Sequence, residues 1–135
     1  MALTVNTVGS SEGIVNVQTF FVTTDATTAV KTYFHCGFVP RRVEFKNLTD
    51  GIDDEWIYGM TADYARHSVI AGDKTLVTSG GITTCENAEV TLANSVVLPG
   101  VLALAPASGS QFVTGFSVPA ALMVASKSFA VIATA

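Results

Sequence analysis

The chain has 135 residues, of which 49% are hydrophobic and only 13% charged, with a formal charge of −4. That length fits one domain, taken as residues 1–135, and so apolar a chain is not a disordered one. The seven basic residues form no stripe able to neutralise phosphates, which argues against a nucleic-acid partner.

Residues 1–5 carry neither the positive start nor the continuous apolar run of a secretory signal, so synthesis in the cytoplasm is expected. Strand-like runs follow at residues 14–22, 29–36, 41–48, 55–60, 75–78, 88–93, 96–104, 111–116 and 128–134, rich in Thr and Val, whose branched side chains favour a pleated surface. The period is clearest in 41–48, where Val43, Phe45 and Asn47 share one face and Arg42, Glu44 and Lys46 the other. Turn signals separate the runs: residues 9–13, Thr49-Asp50-Gly51, Ala71-Gly72-Asp73, Ser79-Gly80-Gly81, Pro99-Gly100 and Ser108-Gly109-Ser110. Residues 61–67 and 119–125 are short helical candidates of a single turn. The spacing predicts an all-β fold, a single-domain β-sandwich or jelly-roll-like barrel. The apolar stretch 96–107 is broken by Pro99, Gly100 and Pro106 and falls short of the roughly 20 residues of a membrane helix, so no membrane partner is expected.

Charged residues usually form about a quarter of a soluble chain. A monomer of 14.1 kDa exposes roughly 6,700 Å², and this chain has few charges to spread over it. Part of that surface is therefore expected to be covered by partner chains.

Chemistry-bearing patterns are sparse. No Gly-x-Ser-x-Gly elbow occurs, and Gly9-Ser10-Ser11-Glu12-Gly13 precedes a strand instead of following one. His35 reads as packed or interfacial and His67 as exposed, with nothing placing a serine and a carboxylate beside either. Asp50, Asp53, Asp54, Glu55 and Asp63 form the densest acidic cluster, without EF-hand spacing, and read as carboxylates answering Arg41, Arg42 and Lys46 across a hairpin. Asn47-Leu48-Thr49 reads as a strand end entering an Asx or type I turn. Cys36 and Cys85 lack metal-ligand spacing and read as buried free thiols. No metal or other cofactor and no enzyme activity are expected. Phe20, Phe21, Phe38, Arg41, Arg42, Trp56, Tyr58 and Met60 are the candidate packing or interface anchors, with Trp56, Tyr58 and Met60 alternating along one strand face.

The segment Gly37-Phe38-Val39-Pro40-Arg41-Arg42-Val43-Glu44-Phe45-Lys46-Asn47-Leu48-Thr49-Asp50, followed by Glu55-Trp56-Ile57-Tyr58-Gly59-Met60, resembles small structural proteins of tailed bacteriophages that decorate or cement the head. Ser79-Gly80-Gly81-Ile82-Thr83 and Ala125-Ser126-Lys127-x-Phe129 echo the same group, whereas Val131-Ile132-Ala133 stands where another aromatic would be expected. The resemblance implies a β-rich virion protein on the outer surface of the capsid, synthesised in the host cytoplasm. Its implied partners are the major capsid protein and further copies of itself, as a homo-oligomer, a dimer in preference to a trimer. A receptor- or glycan-binding module of a phage tail or fibre is the alternative, and exposed aromatics would favour it.

Overall fold

The computed structural model describes residues 3–8, 17–27, 29–69, 72–91, 95–97 and 110–135, and these contain ten β-strands and no helix. The strands are β1 (Leu3–Val8), β2 (Val17–Thr24), β3 (Thr32–His35), β4 (Arg42–Asn47), β5 (Ile52–Ile57), β6 (Tyr64–Ser68), β7 (Lys74–Thr91), β8 (Ser95–Val97), β9 (Ser110–Val118) and β10 (Ser128–Thr134). They lie in the order β1-β2-β10-β4-β5-β6-β7-β9-β3-β8, antiparallel throughout except where β8 runs parallel to β3. The fold is thus all-β and sandwich- or barrel-like, as the turn spacing predicts.

β7 makes the sheet double back. Its first half pairs with β6 and its second half with β9, so one 18-residue strand belongs to both arms. The bend falls at Ser79-Gly80-Gly81, predicted as a turn between two strands but traversed here within one. Gly80 has φ +79°, and a Cβ on Gly81 would lie 2.3 Å from the Tyr64 carbonyl oxygen, a contact only glycine allows. Asp63 pins the kink: its carboxylate accepts the Gly80 N–H at 3.0 Å and its carbonyl the Gly81 N–H at 2.8 Å. Residues 61–67, a helical candidate, are a turn leading into β6, because pairing with β5 on one side and β7 on the other outweighs the high helix propensity of Ala65 and Arg66. Residues 119–125 hold only a single turn, closed by Leu122 N–H and the Pro119 carbonyl oxygen at 3.1 Å.

The two arms face each other across a core of Phe20, Val22, Val43, Phe45, Trp56, Ile82, Phe129 and Val131 from one arm and Phe34, Val97, Phe116 and Val118 from the other. Phe20 meets Phe34 edge-on at 5.2 Å between arms, Phe34 stacks on Phe116 at 5.0 Å, and Phe45 on Phe129 at 4.9 Å, the separations at which aromatic pairs attract. A smaller cluster of Val90, Val96 and Val113 packs with Tyr33 and Cys85. The uncharged C-terminal strands are therefore largely core. Gly115 of β9 sits where a Cβ would lie 2.0 Å from the Phe34 carbonyl oxygen, so the β9 and β3 backbones meet at a distance no other residue permits. The predicted turns at residues 9–13, 99–100 and 108–109, and the parts of predicted strands at 14–16, 92–93 and 98–104, lie outside the described residues.

Candidate functional site

The β4–β5 hairpin is fixed by Asn47. Its Oδ1 accepts the N–H groups of Thr49 and Asp50, both at 3.0 Å, and its Nδ2 donates to Asp50 at 2.9 Å, the Asx turn expected from the sequence. Asp50 also accepts Lys127 Nζ at 3.0 Å, and that bond is the main reason its carboxyl sits below the ordinary aspartate value. With the turn fixed, register pairs Glu44 with Glu55 and Lys46 with Asp53, and β6 adds Arg66 opposite Glu55.

These side chains, with Ser68, Lys74 and Leu76, line an open cleft of about 690 Å³ on the outer face of β4–β7. Glu44 and Glu55 stand directly opposite each other, an arrangement that is repulsive by itself. Arg42 offsets it by ion-pairing with both, at 3.1 Å to Glu44, while Arg66 approaches Glu55 at 3.9 Å and Lys46 meets Asp53 at 3.5 Å. Exposed pairs of this kind contribute only about 0–1 kcal/mol each. Their effect is to hold charges of both signs in fixed positions on one face. Most charged residues of the chain fall between Arg41 and Lys74, whereas β1, β2 and β10 carry none.

Below that face, Asp54 is 3% exposed and its Oδ1 lies 2.8 Å from Nδ1 of half-buried His67. Burial pushes the Asp54 carboxyl above its ordinary value, and the hydrogen bond to His67 opposes that shift. His67, expected to be exposed, is thus half-buried, and the structure sets beside it a carboxylate that the sequence does not place there. The pairing follows from β5–β6 register, in which Asp54 faces His67, and stays invisible while residues 61–67 are read as helix. Among the described residues no group of three His, Cys, Asp or Glu is placed to hold a metal ion.

The candidate anchors separate. Phe20 and Trp56 are buried in the core, Phe38 and Met60 pack against it half-buried, and Phe21 is 39% exposed. Trp56 Nε1–H donates to the Thr61 carbonyl at 3.2 Å. Tyr58 does not share its face: β5 ends at Ile57, Gly59 turns at φ +103°, and Tyr58 stands 71% exposed with the Arg41 guanidinium 5.4 Å from its ring centre. Arg41 therefore stacks on an aromatic where a carboxylate is expected, while Arg42 and Lys46 do form predicted pairs, with Glu55 and Asp53; Asp50 departs from the expectation by pairing with Lys127 from the start of β10. His35 Nδ1 accepts the Thr114 N–H at 3.1 Å, and partial burial lowers its pKa. Cys36 is buried, its thiol pushed up to about 12 mainly by burial, but Cys85 is only half-buried, because β9 beside it offers Gly115 and no side chain to cover it. Leu48, Leu76 and Phe112 are large apolar residues more than half exposed.

No protein-family model, no curated protein and no solved structure matches this chain.

Proposed function

We propose that the chain is a structural virion protein, a cement or decoration protein that binds the outer surface of a tailed-phage head and stabilises contacts between major capsid subunits. One observation carries the proposal beyond the resemblance. Tyr58, Leu76, Leu48 and Phe112 stand between 55% and 71% exposed on a chain with few charges, a surface that suits burial against partner chains. Tyr58 lies within the resembling segment, beside Arg41, and these two residue types dominate interface hot spots. Many copies, each burying roughly 800 Å² against a neighbour, would hold by avidity without any single tight contact.

The test uses heads of the encoding phage assembled without this protein. Purified chain should co-sediment with them and raise the temperature at which they release DNA, and Tyr58→Ala should weaken retention about tenfold or more. Heads that neither retain the chain nor gain thermal resistance overturn the proposal. The exposed Tyr58 ring with its cation also suits the second reading, a tail or fibre module binding glycans. Binding to defined sugars that is lost in Tyr58→Ala, with none to heads, would select it.

A further inference from the structure

We infer that β1 is an intersubunit strand whose outer edge pairs antiparallel with β1 of a second copy. The homo-oligomer part of the proposed function underlies this inference, but shell binding does not. β1 ends the sheet on one side, and its six residues pair with β2 along their whole length. Thr24 N–H donates to the Lys127 carbonyl at 2.9 Å, on the β10 side of β2. Alternation along β2 then turns Thr23, Phe21 and Thr19 toward β1, where their partners are Thr4, Asn6 and Val8. Leu3, Val5 and Thr7 are left with N–H and C=O groups pointing away from the sheet, and no described residue pairs with them.

An edge of this kind is a template for another strand, and monomeric proteins blunt theirs with lysine, proline, a bulge or brevity. None of these devices is present in β1. Leu-Thr-Val-Asn-Thr-Val holds no charge and no proline, and its register with β2 is unbroken. At the opposite end of the sheet the edge strand β8 is only three residues long, which limits what it can pair. The second copy fits β1 on symmetry and charge. A two-fold centred on Val5 sets Val5 against Val5 and Leu3 against Thr7, and each such pair exchanges two bonds, about six in all. No like charges meet across that axis, since β1, β2 and β10 are all uncharged. In the sheet order, the uncharged β2 and β10 separate β1 from the charged face of β4–β7.

Val5→Pro tests this because it removes only an outward N–H, and proline is tolerated on an edge strand whose donor faces away from the ladder. Sedimentation of the full chain should show a parent dimer and a variant monomer, with unchanged far-ultraviolet circular dichroism. Amide hydrogen exchange on the parent gives a readout that does not depend on the variant folding. Leu3, Val5 and Thr7 amides should exchange at least about tenfold faster once the dimer is diluted apart, while Thr4, Asn6 and Val8 hold their protection. A Val5→Pro variant that dimerises like the parent, or outward amides that exchange freely in the dimer, overturns the inference and leaves the homo-oligomer intact. A parent that is monomeric at about 100 μM, where a dimer with a Kd of about 1 μM would be largely formed, overturns both. A dimer that fails to bind heads overturns the proposed function alone.

Discussion

Replacing Trp56 with alanine empties the middle of the arm-to-arm core. The indole is 6% exposed, packs in the cluster with Val43, Phe45 and Ile82, and donates its N–H to the Thr61 carbonyl at 3.2 Å. Truncating a buried aromatic costs about 3–5 kcal/mol, and the hydrogen bond lost with it contributes about 1 kcal/mol more. Against a total stability of about 5–15 kcal/mol, that removes a quarter or more of what keeps the domain folded. The midpoint of thermal unfolding should fall by about 10–20 °C for a chain of this size. Urea unfolding followed by far-ultraviolet circular dichroism is the assay, since the variant has no tryptophan to report. Trp56→Phe, which keeps most of the packing and loses the donor, should fall between parent and alanine variant. An alanine variant within about 1 kcal/mol of the parent would refute the placement of the indole in the core.

Gly115→Ala forces a Cβ to within 2.0 Å of the Phe34 carbonyl oxygen, so β3 and β9 must part; a loss of at least about 1–3 kcal/mol is expected in urea melts, and a neutral result would refute the close approach. Asn47→Ala removes three bonds at 2.9 and 3.0 Å, including both that its Oδ1 accepts from the Thr49 and Asp50 N–H groups in the Asx turn, and should cost about 1–3 kcal/mol by the same measurement. Asp54 titrates higher when folded than its ordinary 3.8, so the folded state holds the proton more tightly and its contribution to stability declines as pH rises from 3.8 through the folded value. Asp54→Asn should abolish that component of the pH dependence, visible as the difference between parent and variant urea midpoints across acidic buffers; parallel curves would show that burial does not perturb this carboxyl.

How much of this could be read beforehand depends on whether a pattern is local. In β4 the alternation is complete within six residues, and Val43, Phe45 and Asn47 are buried while Arg42, Glu44 and Lys46 face outward, as the period requires. β10 likewise coincides with its predicted span. Period two carried past Ile57 would set Tyr58 on the Trp56 face, but β5 ends at Ile57 and the chain turns at Gly59, φ +103°, so the ring stands outward. β6 lacks branched residues and is a strand only through its neighbours, so its identity, and with it the Asp54–His67 contact, rests on pairing between distant segments. Gly80 and Gly81 gave a correct signal of a bend and a wrong one of an interruption, since the same conformational freedom serves both. β1 is short and holds neither an aromatic nor a charge, so its residues carry little local signal and it is a strand through its pairing with β2.

β10 lies between β2 and β4, with Phe129 set against Val22 on one side and Asn47 on the other. A ribosome adding about 5–20 residues per second needs about 5–20 s to travel from Val22 to Phe129. During that interval β2 and β4 have no central strand to join, and Val-Gln-Thr-Phe-Phe-Val-Thr-Thr of β2 emerges uncharged and rich in branched and aromatic residues, the composition that favours pairing between chains. Nascent copies on one message are thus most exposed to mispairing before the final strand is made. Slower initiation and lower growth temperature, by spacing and calming those nascent chains, should raise the soluble yield more than any change to the finished surface.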